Sequence, residues 1–252
     1  MGSAYLIDID GVLVNGYRLI PGAAQFMERL QSRGLSFLLL TNNSRFTPDE
    51  HREGLGQLGI PLPENAIFTS ALATARFVKE HCPRGSAFTI GERGLTAALE
   101  AVSFKVTEEK PDYVIIGETV SYSFERLTKA VRFIREGARF IATNPDVIGP
   151  TDQGVVPTCG ATAALVSAAT GVSPYFVGKP NPLMMRSALR QICAHSESTI
   201  MIGDRMDTDI VGGMESGMET ILVLSGVTRE EDVLRFPYRP HRIVQSVAQI
   251  PL

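Results

Sequence analysis

The chain has 252 residues, 44% hydrophobic and 20% charged, with a formal net charge of −3. That length allows one large domain or two small ones with a real core, and the charge gives no support to a nucleic-acid or membrane surface. Cys82, Cys159 and Cys193 are odd in number and far apart, which argues against a disulfide framework and for free thiols in a reducing cytoplasm.

No apolar stretch approaches the roughly 18 residues of a membrane span. The four histidines are scattered, without metal-ligand spacing. Tyr5-Leu6-Ile7 is a short apolar run that ends at Asp8, with Asp10 just beyond. Two carboxylates that close repel and are costly to desolvate, so a cation is required beside them. Val12-Leu13-Val14, Asn15-Gly16 and the following Tyr17-Arg18-Leu19-Ile20 predict a hairpin, because Asn-Gly fits a type I′ turn. Pro21 suits the first position of a helix in which Phe26, Met27 and Leu30 share a face up to Gly34.

Phe37-Leu38-Leu39-Leu40 ends at Thr41-Asn42-Asn43, and Ala66-Ile67-Phe68 ends at Thr69-Ser70. A helix follows in which Leu72, Ala75 and Val78 share a face. Residues 81–85 and 170–174 read as hinges. Strands at 87–90, 113–116 and 139–142 and helices at 124–136 and 160–170 lie between them. Tyr175-Phe176-Val177 then runs to Lys179, Thr199-Ile200-Met201-Ile202 runs to Asp204, and Ile221-Leu222-Val223-Leu224 follows. The runs do not alternate, so they read as strands buried on both faces. Strand alternating with helix predicts a parallel α/β sheet, with residues 1–79 and 175–252 as the core and 80–174 as an inserted α/β cap. Ligands bind beyond the carboxyl ends of such strands.

Four polar clusters sit at those ends. Alone, Asp8-Ile9-Asp10-Gly11 reads as readily as a turn or surface calcium-like loop as it does as a reactive site, and Thr41-Asn42-Asn43 reads as a helix cap or turn. Lys179-Pro180 alone is a solvated lysine before a turn, and the carboxylates of Gly203-Asp204-Arg205-Met206-Asp207-Thr208-Asp209 alone are helix caps. All four at the ends of apolar runs, in this order, point to one site. Asp8 is the group that would attack phosphorus and form an aspartyl-phosphate. Asp10 would protonate the leaving oxygen and then take a proton from water. Mg²⁺ on Asp8 and Asp204 would screen the repulsion between carboxylates and phosphate. Lys179, its side chain expected in the cleft, would add positive charge, the Thr41 hydroxyl and nearby N–H groups would bind phosphoryl oxygens, and Asp209 would orient metal-bound waters.

In this order D-x-D-G-V, T-N-N, G-K-P and G-D-x-x-x-T-D resemble the haloacid-dehalogenase-like phosphatases, over nearly the whole chain. Stretches such as PGAAQFMERL, ARFIATNPD and YFVGKPNP are similar to the NagD-type branch. The resemblance implies a Rossmann-like parallel-sheet core with an inserted cap, and Mg²⁺-dependent phosphomonoester hydrolysis. It implies that the Asp10 carbonyl joins Asp8 and Asp204 on the metal. Phosphate binding falls on Asp10, Thr41, Asn42 and Lys179, and Arg205, Met206, Asp207 and Thr208 enter as ligand-contacting backbone. Substrates implied are nucleoside 5′-monophosphates such as uridine and guanosine monophosphate, or else pyridoxal phosphate, phosphoglycolate or a sugar phosphate. Too few residues separate Val12 from Thr41 to hold a cap, so it falls between Asn43 and Lys179 and covers the site, which favours a small-molecule substrate. The loop at 143–157 is expected to face the leaving group. A receiver-type phosphoacceptor also combines Asp, Thr and Lys at strand ends, but as a signalling module without a cap of this size. A phosphomutase and a non-catalytic binding protein stand as further alternatives, and phosphate release without an acceptor separates the reading from both.

Overall fold

The apolar runs pair side by side because they have no polar face to give to water: Leu6, Ile7, Leu38, Leu39, Met201 and Ile202 are fully buried. In the computed structural model, which describes residues 4–151 and 154–252, they form a six-stranded sheet. Its order is Arg242–Val244, Glu219–Val223, Thr199–Gly203, Ala4–Ile7, Phe37–Thr41, Ile67–Thr69. The first strand lies in the middle and pairs in parallel with Thr199–Gly203 on one side and Phe37–Thr41 on the other. The strand order therefore reverses at Ala4–Ile7, and a ligand crevice belongs at the carboxyl ends of these three strands. Asp8, Thr41 and Asp204 stand there.

The chain divides into two compact units. One comprises Met1–Thr41, His51–Phe68 and Lys179–Leu252; the other comprises Asn42–Glu50 and Thr69–Gly178. The second has its own five-stranded sheet, in the order Tyr175–Phe176, Arg139–Ala142, Tyr113–Ile116, Ser86–Ile90, Lys105–Val106, with parallel pairings. Helices Phe124–Arg135 and Cys159–Thr170 pack together within that unit. Its core includes Phe88, Val114, Ile116 and Ala142.

Four local expectations are corrected. Tyr175-Phe176-Val177 is not a core-sheet strand: Tyr175–Phe176 pairs with Ile141 and Ala142 of the second sheet, and Tyr175 at that edge is exposed. The turns at 81–85 and 170–174 lie inside the second unit and are not the connections between units, because helix Ser70–His81 packs on Arg93–Ala101. In the hairpin, Val14 pairs with Leu19 and Asn15 with Arg18. The two-residue loop is thus Gly16-Tyr17, with Gly16 at φ 60° in the first central position that a II′ turn reserves for glycine. Finally, the first helix begins at Ala23, capped by Gly22 in the left-handed region, so Pro21 precedes the cap.

Candidate active site

Asp8 is carried just past the end of Ala4–Ile7, where its N–H still donates to Ile202 O (2.9 Å) and continues the ladder. Its Oδ1 accepts from the Ile9 N–H (2.8 Å) and from Lys179 Nζ (2.7 Å). Lys179 is 2% exposed, so its side chain lies inside the core and not out in an open cleft. Its ammonium faces three acceptors: Asp8 Oδ1, Asp209 Oδ1 at 2.7 Å and Leu40 O at 2.9 Å. Two carboxylates and a carbonyl around the ammonium are what make a buried lysine tolerable.

Asp204 follows Thr199–Gly203. Its Oδ2 accepts from the Val227 N–H (2.6 Å), while its Oδ1 is buried with no hydrogen-bond partner among the described residues. Asp209 sits in the turn Met206–Ile210, where the Ile210 N–H reaches back five residues to Arg205 O (3.1 Å). This wider, π-type turn, a form frequent at functional sites, folds the Asp209 carboxyl back beneath Gly203, where a Cβ would stand 2.1 Å from that of Asp209. Asp209 Oδ2 accepts from the Arg205 N–H (3.2 Å). Asp10 is half-buried in the turn closed by the Gly11 N–H on Val14 O (2.7 Å). Gly11 has φ 79°, and a side chain there would also collide with Asp204 Oδ2, at 2.3 Å. Thr41 ends its strand buried.

One oxygen each of Asp8, Asp204 and Asp209 lies within 4.8 Å of the others. Burial raises the carboxyl pKa of all three, and repulsion from neighbouring carboxylates adds to it. Asp209 is pushed up to about 6. Burial works against the Lys179 ammonium, but Asp209 and Asp8 outweigh it and hold its pKa above the ordinary lysine value. Three carboxylates against one ammonium leave a formal charge near −2 in a buried site. That deficit, the orphaned Asp204 Oδ1 and an all-oxygen donor set fit a hard divalent cation.

The remaining expected residues are placed differently. The Asn42 amide donates to Asp146 Oδ2 (3.0 Å), so its side chain is turned to that residue of the second unit. Met206 points into a core patch with Ile210, Leu222 and Val233. Its N–H donates to Thr228 Oγ1 (3.3 Å) and its carbonyl accepts from the Tyr238 hydroxyl (3.0 Å). Arg205 forms a two-bonded pair with Asp207 (3.1 and 2.9 Å), and Thr208 is buried. Of the loop at 143–157, Thr143 and Asn144 are fully buried, and Asn144 donates to Asn42 O (2.8 Å), so this end of the loop is structural. Asp152 and Gln153 lie outside the described residues. Sequence reasoning assigned no role to residues 225–228, which hold Asp204 through the Val227 and Thr228 N–H groups.

Two family models match the chain: haloacid dehalogenase-like hydrolase over residues 5–105, and HAD-hydrolase-like over residues 176–250. The dihydroxyacetone phosphatase of Corynebacterium glutamicum is 49% identical over 98% of this chain and 90% of its own. The ribonucleotide monophosphatase NagD of Escherichia coli is 42% identical over 97% and 96%. The solved structure of E. coli NagD superposes with a TM-score of 0.92 at 41% identity, covering 100% of this chain and 99% of that one. A 4-nitrophenylphosphatase from Thermotoga maritima superposes with a TM-score of 0.93 at 32% identity, covering 98% and 95%. Among the described residues no helix is long and apolar enough to cross a membrane. Family models at both ends of the chain and near full-length likeness to phosphatases agree with the buried carboxylates at the switch point: this chain belongs to the haloacid dehalogenase-like hydrolases, as a phosphomonoester hydrolase of the NagD type.

Proposed function

We propose that the chain hydrolyses small phosphomonoesters through a phosphorylated Asp8. The observation that carries this reading is the pairing of Asp8 with Lys179 beside the unpartnered Asp204 Oδ1. Lys179 and the Ile9 N–H occupy Asp8 Oδ1, and among the described residues none donates to Oδ2. Oδ2 is therefore the attacking oxygen: an Oδ2–phosphorus bond forms as the ester P–O bond breaks. Asp10, half-exposed in the adjoining turn, gives its proton to the leaving oxygen and then takes one from the water that attacks phosphorus, which frees the Asp8 carboxylate. The Thr41 hydroxyl and the Lys179 charge support the phosphoryl oxygens. Asp8, Asp204 and the Asp10 carbonyl are the groups that would hold Mg²⁺, and a bound ion screens these carboxylates from the phosphate dianion.

The chemistry belongs to the first unit, which contains all of these groups, and leaving-group choice to the second, the cap. The 49% identity to a dihydroxyacetone phosphatase favours short sugar and triose phosphates as substrates. The likeness to ribonucleotide monophosphatase NagD favours a second reading, the nucleoside 5′-monophosphates expected from the sequence. Phosphate release from dihydroxyacetone phosphate, sugar phosphates, uridine and guanosine monophosphate, pyridoxal phosphate and phosphoglycolate decides between them. The first reading expects the highest kcat/KM on the triose phosphate. A preference for the nucleotides selects the second, and no Mg²⁺-dependent release from any ester defeats both.

A further inference from the structure

Residues 225–228 follow the strand Glu219–Val223 and make four contacts with the two halves of the carboxylate site. Ser225 Oγ donates to Gly11 O at 2.7 Å. The Val227 N–H donates to Asp204 Oδ2 at 2.6 Å. The Thr228 N–H donates to Asp204 O at 3.2 Å, and Thr228 Oγ1 accepts from the Met206 N–H at 3.3 Å. Between them Gly226 lies against Asp204 so closely that a Cβ would stand 2.0 Å from Oδ2 and 2.6 Å from the Asp204 Cβ. Gly226 is needed for space and not for backbone conformation, since its φ lies outside the left-handed region.

We infer that residues 225–228 are a clasp that fixes the orientation of the Asp204 carboxylate, so that one oxygen is held and the other is offered to the cation, and fixes the Asp10–Gly11 turn beside it, making Ser225 and Gly226 positioning residues. This rests on the divalent-cation reading of the site. The clasp ties up Oδ2 and leaves Oδ1 buried and unpartnered. Rotating the carboxylate out of this plane would sacrifice a short charge-assisted bond, so its orientation is held in advance of metal arrival. Ser225 does the same for the other half: by holding the Gly11 carbonyl it fixes the turn that contains the Asp10 carbonyl. Replacing groups that orient metal ligands in this way typically costs roughly 10–100-fold in metal affinity.

Isothermal titration of Mg²⁺ into substrate-free protein tests the clasp, alongside the thermal midpoint in chelator. Gly226→Ala should raise the Mg²⁺ Kd roughly 10–100-fold, and Ser225→Ala, which deletes only the hydroxyl, about three- to tenfold. Gly56→Ala, the same change on an exposed helical position with open space around it, should leave Kd unaltered. If Gly226→Ala fails to fold, Ser225→Ala carries the test. Unchanged Kd values in the folded clasp variants, with only the midpoint lowered, would overturn the inference and leave a merely structural loop. Absence of Mg²⁺ binding by the unaltered protein overturns the cation reading itself, and the clasp with it.

Discussion

Lys179 and Asp209 form a buried ion pair at 2.7 Å, with the lysine 2% and the carboxylate 0% exposed. The same ammonium holds Asp8 at 2.7 Å, so one cation joins the residue proposed to attack phosphorus to the residue folded under Gly203. Lys179 is thus a structural and an electrostatic element at once. Lys179→Ala should lower both turnover and stability, by about 3–5 kcal/mol, because two buried carboxylates lose their counter-charge. Urea unfolding in chelator measures the stability term. A variant as stable as the parent would show that the ion pairs are not formed in solution.

Asp8→Asn should abolish turnover, since an amide is a poor nucleophile and a weaker metal ligand. Asp10→Asn should keep Mg²⁺ binding and lose roughly 10²–10⁴-fold in kcat, the usual worth of a positioned acid/base group. Steady-state kinetics with titration of the ion separates the two. Parental turnover in Asp8→Asn rules out the covalent role.

Stability should depend on metal and pH together. Asp8, Asp204 and Asp209 all have raised pKa values, with burial as the first cause, and Asp209 lies at about 6. An unfolded aspartate titrates near 3.9, so between about pH 4 and 6 the metal-free fold binds more protons than the unfolded chain. By linkage, these groups make the metal-free fold less stable as pH rises through that window. Protons also compete with the ion. The rise in thermal midpoint at a fixed Mg²⁺ concentration should therefore shrink as pH falls from above that window into it. A pH-independent increment contradicts the placement of the ion among these carboxylates.

The three cysteines should differ in reactivity. Burial pushes the Cys159 thiol up to about 12, and its Sγ contacts Thr143 Oγ1 and Ile116 O (3.5 and 3.3 Å), whereas Cys193 is exposed. Alkylation of the native protein should modify Cys193 first and Cys159 only after unfolding. Mass spectrometry of the labelled peptides reads this directly, and equal native rates at both would contradict the packing of helix Cys159–Thr170.

Much of this was visible in the residues. Asp8 and Asp204 each follow an apolar run of one parallel sheet, and such sheets gather those ends; the run before Lys179 pairs in the other sheet. Placement at an end does not say where a side chain turns. Asn42 looks like a phosphate ligand beside Thr41, yet its amide goes to Asp146, a partner 104 residues away that local reasoning does not supply. Met206 lies in the right motif, but its apolar side chain is drawn into the patch with Leu222. Tyr175-Phe176 reads like any other apolar run, and only pairing with Ile141 and Ala142 assigns it to the second sheet. The clasp at 225–228 works mostly through main-chain N–H groups, which every residue but proline carries, so composition cannot flag it. The hairpin register missed by one because Asn-Gly and Gly-Tyr both satisfy a two-residue turn, differing only in which position takes positive φ.

The most direct measurement is a covalent trap at Asp8. Protein turning over p-nitrophenyl phosphate with Mg²⁺ is quenched in acid and treated with borohydride, which reduces an acyl phosphate to the alcohol, and the peptides are sequenced by mass spectrometry. Homoserine at position 8, present only in samples quenched during turnover, is the predicted result. Robust turnover with aspartate unaltered at position 8, or with the modification at Asp10 instead, would contradict nucleophilic attack by Asp8.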